Sequence, residues 1–266
     1  MGRFDDRVIW ITGASSGIGA ALAGAFAAEG ARLVLSARRE DTLVQLAQRL
    51  NLPAHRVMVL ALDLEQPERH ADAAAAVLAR MGRIDVMVHN AGVSQRSRLA
   101  NTELSVIRRL IDVNYFGTVS LTQHILPVFK QQGGGQFVII SSMMGLYSAP
   151  LRGGYSAAKH ALHGYFEALR AEEHDAGIRV TMICPGFVQT DVSVNALTGD
   201  GTPQGTMDQA TAAGLSPEYV ARRVVSATAR QKLQVALGGW RELLGWWLAR
   251  YAPRLHALAI RKIKST

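Results

Sequence analysis

Tyr155 and Lys159 stand four residues apart in Tyr155-Ser156-Ala157-Ala158-Lys159, and Ser142 precedes the tyrosine by thirteen residues, at the end of the apolar run Phe137-Val138-Ile139-Ile140-Ser141-Ser142. On a helix, an i, i+4 pair shares one face. The segment therefore offers a phenol, an ammonium and a hydroxyl for moving a proton on and off a carbonyl oxygen. A free tyrosine, with pKa ~10, is a poor base, and a neighbouring positive charge is what stabilises its phenolate. Bringing it near neutrality takes roughly 3 to 4 kcal/mol. Lys159 alone falls short of that, and a bound cationic cofactor would help.

Such groups need a scaffold that brings distant strand ends together. Apolar runs of strand length recur along the chain: Val8 to Ile11, Leu33 to Leu35, Val57 to Leu60, Val86 to Val88, Phe137 to Ile140 and Val180 to Ile183. A seventh, Leu233 to Leu237, follows a helical pattern from Ser216 to Arg230. Continuous apolar strands alternating with helices indicate an α/β, doubly wound parallel sheet of seven strands covered on both faces. A chain of 266 residues suits one such domain. The reading assigns residues 1–239 to that domain, with a loop over the substrate at about 187–215, and 240–266 to a helical extension of it.

The polar and glycine motifs fall just after the strands, where ligands bind in an open parallel sheet. Thr12-Gly13-Ala14-Ser15-Ser16-Gly17-Ile18-Gly19 joins the first strand to an alanine-rich helix. Glycines there permit a tight turn and close approach of backbone to a pyrophosphate, which the helix amino terminus attracts. The same residues could form an ordinary βα turn. At the end of the second strand, Ala37 stands where an NAD site usually carries a carboxylate. Arg38 follows, which leaves room and positive charge for a 2′-phosphate and favours NADP(H), with NAD(H) still possible. Arg38 and Arg39 could equally just open the next helix. Asp63 and Leu64 after the third strand could reach an adenine, and Asn90-Ala91-Gly92 after the fourth would let backbone approach the cofactor. Each of these is also an ordinary turn sequence.

Other features bound the answer. The single cysteine, Cys184, lies in the apolar run from Val180, which excludes an internal disulfide and fits a reducing compartment. The amino terminus runs almost at once into the first strand, so no signal peptide is expected, and no apolar stretch is long enough to span a bilayer. A cytoplasmic protein is the expectation. The net charge of +8 would suit nucleic acid, but no motif supports that partner. His160 and His163 have a spacing that could serve a metal, yet no carboxylate or cysteine pattern completes a site, and no metal is expected.

Taken together, Thr12 to Gly19, Asn90-Ala91-Gly92, Asn114, Ser142, Tyr155, Lys159, Pro185-Gly186 and Thr190 resemble the compact branch of the short-chain dehydrogenase/reductase family across nearly the whole chain. The resemblance implies a Rossmann-type fold, a nicotinamide cofactor and a homodimer or homotetramer. It implies that Tyr155 acts as general acid in reduction and general base in oxidation, and that Lys159 holds the nicotinamide ribose and lowers the tyrosine pKa. Ser142 would place the substrate oxygen, with Ser141 as its rival. Asn114 would bend its helix and hold a water linking Lys159 to solvent. Gly13, Ser15, Ser16, Gly17, Ile18, Gly19, Arg38, Asp63, Leu64, Asn90, Ala91, Gly92, Pro185, Gly186, Val188 and Thr190, with Tyr155 and Lys159, would line the cofactor. Ser193-Val194-Asn195-Ala196, Asp200-Gly201 and the tail resemble the member 7B subgroup, although the amino-terminal hydrophobic anchor of its membrane-associated relatives is not expected here.

The leading expectation is thus an NADP(H)-dependent oxidoreductase interconverting a ketone or aldehyde with an alcohol. An NAD-dependent alcohol dehydrogenase and a nucleotide-sensing or scaffold protein without turnover are the alternatives. Met143, Met144, Leu146, Tyr147, Leu151 and Phe187 near the reacting edge suggest a hydrophobic, lipid-like or steroid-like carbonyl substrate. In the tail, Trp240, Leu243, Leu244, Trp247, Leu248 and Tyr251 form an apolar helical stripe. Beyond Pro253, Leu255, Leu258 and Ile263 continue it among Arg254, Arg261, Lys262 and Lys264. Such a stripe is expected to pack on the domain or on a second subunit; peripheral membrane contact is the alternative.

Overall fold

The computed structural model describes residues 2–262; Ile263 and Lys264 of the tail pattern lie outside the described residues. Seven strands follow the apolar runs: β1 Val8–Thr12, β2 Arg32–Ala37, β3 Val57–Ala61, β4 Val86–His89, β5 Gly135–Ile140, β6 Ile178–Pro185 and β7 Gln234–Leu237. They form one parallel sheet in the order β3-β2-β1-β4-β5-β6-β7. The strands read as unbroken apolar runs because both faces are covered. In β1, Val8 and Trp10 point into one core, and Ile9 and Ile11 into the other.

The crossover helices are α1 Gly17–Ala28, α2 Glu40–Leu50, α3 His70–Met81, α4 Leu104–Ile111, α5 Gly117–Gln131, α6 Gly153–Glu172, α7 Gln209–Ala212 and α8 Pro217–Ala229. Leu22 and Phe26 of α1 share a core with Leu43 of α2 and with Val220 and Val224 of α8. On the other face, Val77 of α3, Phe129 of α5 and Phe166 of α6 pack with Trp10 and Phe137. The one polar atom of Trp10 is satisfied, its Nε1 donating to Ser36 Oγ at 2.8 Å. The expected helix from Ser216 begins with a cap, Ser216 Oγ accepting from Tyr219 N at 3.2 Å ahead of Pro217.

The strand order reverses between β1 and β4, and their carboxyl ends therefore open a crevice between them. Beyond β7 run α9 Trp240–Tyr251 and α10 Pro253–Ile260. Among the described residues no helix is long and apolar enough to cross a membrane. Of the two expected partners of the apolar stripe, the domain or a second subunit, the domain is corrected: neither α9 nor α10 contains a buried residue. Trp240, Leu244, Trp247 and Tyr251 are exposed, and the domain is met instead by Glu242 and Gly245. An apolar stripe records that a helix wants a partner, not which surface supplies it.

Candidate active site

The crevice is pinned open by Thr12, the last residue of β1. Its hydroxyl donates to Val88 O at 3.3 Å and accepts from Asn90 N at 3.1 Å. The Asn90 amide donates to Thr12 O at 2.9 Å and Gly13 O at 3.1 Å. Asn90 thus braces the glycine turn rather than offering its side chain outward, a role its turn-like sequence could not reveal. Gly13 and Gly17 take φ of 65° and 53°, the left-handed region glycine favours. A Cβ on Gly19 would stand 2.2 Å from Gly13 O, so the turn closes only without one. Ser16 makes no side-chain cap, and the first N–H groups of α1 are left for an anion.

This turn fits a dinucleotide. Gly13, Ser15, Ser16, Gly17 and Ile18 of it line a cleft of about 560 Å³ together with Arg38, Asp63, Leu64, Asn90, Ala91, Gly92, Pro185, Gly186, Val188 and Thr190, whereas Gly19, expected there too, is buried behind the turn and does not line it. Arg38 and Arg39 are exposed at the end of β2, and Arg39 Nη2 reaches Ser15 Oγ at 3.5 Å. Asp63 spends one oxygen on its own turn, accepting from Glu65 N at 3.1 Å.

The same cleft is lined by Asn114, Ser142, Tyr155 and Lys159. Tyr155 and Lys159 sit in the first two turns of α6, with the Lys159 ammonium 5.7 Å from the centre of the Tyr155 ring. Lys159 is buried and donates to Ile140 O at 3.0 Å. Between α4 and α5 the helix widens into a π turn, Asp112–Phe116, with Asn114 buried inside it. The Asn114 amide donates to Leu110 O at 2.9 Å and Val93 O at 3.0 Å, and its oxygen accepts from Val93 N at 3.3 Å. Single π turns of this kind occur often at functional sites. Ser142 caps the short turn after β5, accepting from Met144 N at 3.1 Å. Ser141, the rival, is engaged with His163 Nε2 at 3.1 Å. His163 is thereby separated from His160, whose Nδ1 faces Ser156 O at 2.8 Å. Met143, proposed from sequence for the substrate wall, is buried in the protein instead.

Burial raises the Tyr155 phenol above its ordinary value, and hydrogen bonding with Ser142 and then the charges of Arg152 and Arg96 pull it back down. Burial also brings Lys159 down to about 8. Two arginines that sequence reading had not singled out thus act on the phenol. They belong to a buried network. Arg96 Nε donates to Asp208 Oδ2 at 2.7 Å, and Arg96 Nη1 to Ser94 Oγ and Gln95 O. Arg152 approaches the same carboxylate oxygen at 3.7 Å and lies 5.2 Å above the Phe187 ring. Asp208 carries the negative charge that permits two arginines to be buried together, and it ties the loop after β6 to the segment after β4.

Two more residues went unnoticed. Gln95, fully buried, accepts from Gly154 N at 2.8 Å and Tyr155 N at 3.2 Å, and so holds the amino end of the helix that carries the tyrosine. Glu242, at the start of α9, accepts from Phe187 N at 2.7 Å and Gly239 N at 2.5 Å. Their capture of α6 and of the loop after β6 has no local mark: Gln95 reaches 59 and 60 residues to Gly154 and Tyr155, and Glu242, which caps its own helix start at Gly239, reaches 55 residues to Phe187.

The model of the short chain dehydrogenase family matches residues 7–200. A Danio rerio protein named dehydrogenase/reductase SDR family member 7B is 39% identical over 272 aligned positions, covering 99% of this chain and 88% of its own. A short chain dehydrogenase/reductase from Burkholderia phymatum, solved in complex with NAD, superposes with a TM-score of 0.84 at 25% identity over 96% of each chain. An alcohol dehydrogenase from the archaeon Thermococcus sibiricus, complexed with 5-hydroxy-NADP, gives a TM-score of 0.75 at 28% identity over 89% of this chain and 97% of that one.

Proposed function

Because the chain belongs to the short-chain dehydrogenase/reductase family and its 7B-like subgroup, and is an oxidoreductase acting on CH–OH groups with NAD(P), we propose that it interconverts a ketone or aldehyde with an alcohol, preferring NADP(H). The observation that carries this reading is the single cleft, which joins the glycine turn to Ser142, Tyr155 and Lys159. The bound dinucleotide supplies or accepts the hydride. Tyr155 gives the carbonyl oxygen its proton during reduction and takes it back during oxidation. Ser142 holds that oxygen beside the phenol. Lys159 binds the nicotinamide ribose and carries positive charge towards the tyrosine, while Asn114, buried in its π turn, holds the water that links Lys159 to solvent.

The NADP preference is supported by Ala37 in the usual acidic position and by the exposed Arg38 and Arg39 beside it. Relatives with NAD and with an NADP derivative make both cofactors chemically reasonable for the fold. Residues 187–215 form the substrate loop of this reading, and residues 240–266 the extension. The substrate is read as an apolar carbonyl compound on the strength of Met144, Leu146, Tyr147, Leu151 and Phe187, none of which lines the cleft itself, although Gly186 and Val188 on either side of Phe187 do. A homodimer or homotetramer is the assembly that the family suggests, and the one buried cysteine fits a reducing cytoplasm.

The test is Tyr155→Phe. Titration with NADPH and NADH is expected to leave both affinities within about twofold of wild type and NADPH the tighter, whereas turnover in a carbonyl-compound screen falls at least ~100-fold. Full turnover in the variant would overturn the mechanism.

A further inference from the structure

The carboxyl-terminal helices present an apolar face that the domain leaves bare. Trp240, Leu244, Trp247 and Tyr251 recur at i, i+4, i+7 and i+11, which at about 100° per residue keeps them on one narrow stripe of α9. Their exposures are 69%, 45%, 54% and 70%, and Leu255 and Leu258 of α10 add 59% and 58%. These residues are large and apolar, and they are gathered in two consecutive helices rather than scattered singly, so they mark a docking surface. Trp247 and Tyr251 also pack on each other, with ring centres 5.6 Å apart.

Charge decides what covers the face. Among residues 240–262 stand Arg241, Arg250, Arg254, Arg261 and Lys262, all exposed, against one acid, Glu242. That acid is turned inward to the N–H groups of Phe187 and Gly239. On the helical wheel Arg241 and Arg250 fall on opposite flanks of the apolar stripe. A second copy seated face to face would bring the same basic set against itself, on a chain that already carries a net charge of +8. An anionic lipid surface instead takes the tryptophans and leucines among its acyl chains and pairs the flanking arginines with its headgroups.

We infer that α9 and α10 dock the protein peripherally on anionic bilayers, with Trp240, Leu244, Trp247, Tyr251, Leu255 and Leu258 inserted and the arginines at headgroup level. The docked face is joined to the cleft wall next to Phe187, whose neighbours Gly186 and Val188 line it. Glu242 holds Phe187, and Tyr147 packs against His256, ring centres 5.5 Å apart, and against Gly245. Docking therefore presents that side of the site to the bilayer, a consequence that rests on the reductase reading, whereas the docking itself does not.

The experiment is co-sedimentation of the full chain with vesicles of phosphatidylglycerol and, separately, of phosphatidylcholine, with the oligomeric state measured by analytical ultracentrifugation in both wild type and variants. Wild type is expected to sediment with phosphatidylglycerol and to be released by salt, with at least ~10-fold weaker binding to phosphatidylcholine. Trp247→Ser combined with Tyr251→Ser is expected to weaken binding at least ~10-fold, and Arg250→Glu with Arg254→Glu similarly, with unchanged circular dichroism and unchanged oligomeric state. Both pairs lie at exposed positions outside the catalytic cleft. Failure of wild type to bind phosphatidylglycerol, or equal binding by the variants, overturns the inference. Dissociation of an oligomer by Trp247→Ser and Tyr251→Ser also overturns it and assigns the face to a second copy.

Discussion

Replacing Asp208 by asparagine keeps the side-chain shape and removes one charge from a cluster of three. The side chains of Arg96, Arg152 and Asp208 are 4%, 10% and 7% exposed, so water compensates little for the loss. Two guanidinium groups are then buried with no counter-charge, and breaking a buried pair in this way costs about 3–5 kcal/mol. With a urea m-value of about 3 kcal/mol/M for a chain of this size, the midpoint falls by roughly 1 M or more. Asp175→Asn is the control, because that carboxylate is fully exposed at 106%; it is expected to stay within about 0.5 kcal/mol of wild type. The pH dependence gives a second reading. Burial pushes the Asp208 carboxyl upward, but hydrogen bonds from Arg96 and Gln204 and the charges of Arg96 and Arg152 hold it below its ordinary 3.8. Its contribution is therefore complete above that value and is lost only as the pH falls through the lower value it has in the fold. The gap between wild type and Asp208→Asn is expected to be constant near neutrality and to close only in strong acid. A variant as stable as Asp175→Asn at pH 7 would refute the assignment of this network as the clasp between the substrate loop and the segment after β4.

Further outcomes follow from the same structure. Gly19→Ala drives its new methyl against Gly13 O and is expected to abolish NADPH binding in a fluorescence titration; Gly24→Ala, on the same helix with open space around it, should bind normally and gain up to about 1 kcal/mol in stability. Lys159 is held down to about 8 against 10.5 in the unfolded chain. Its burial therefore costs stability below pH 8, and the cost is relieved as the pH rises from 8 to 10.5. Urea unfolding of cofactor-free wild type should gain on Lys159→Met through that window, by up to about 3 kcal/mol, and a gap that does not change with pH would show that the ammonium is solvated in the fold.

The fold and much of the site were legible because they are written locally. Seven apolar runs marked the strands; the structure extends six of them by only a few residues, as at Ala37 and Pro185, and begins the seventh one residue later, at Gln234. Gly13, Gly17 and Gly19, like Tyr155 and Lys159, announce themselves by spacing within one turn or one helix face, and the parallel-sheet rule alone puts the ends of β1, β4, β5 and β6 on a common edge. The unseen residues act across the chain. Gln95 holds the start of α6, 59 and 60 residues away, and Arg96 meets Asp208 across 112. Neither pairing has a periodicity, because each exists only after the crossovers have folded back on the sheet. The tail shows the same division within one element. Periodicity marks Trp240, Leu244, Trp247 and Tyr251 as one face, but whether the domain covers that face depends on where α9 leaves β7 and on Glu242 turning inward to Phe187. Side-chain chemistry at short range is a property of the sequence; which distant groups share a dry interior, and which apolar face is left to the solvent, is settled only by the packed chain.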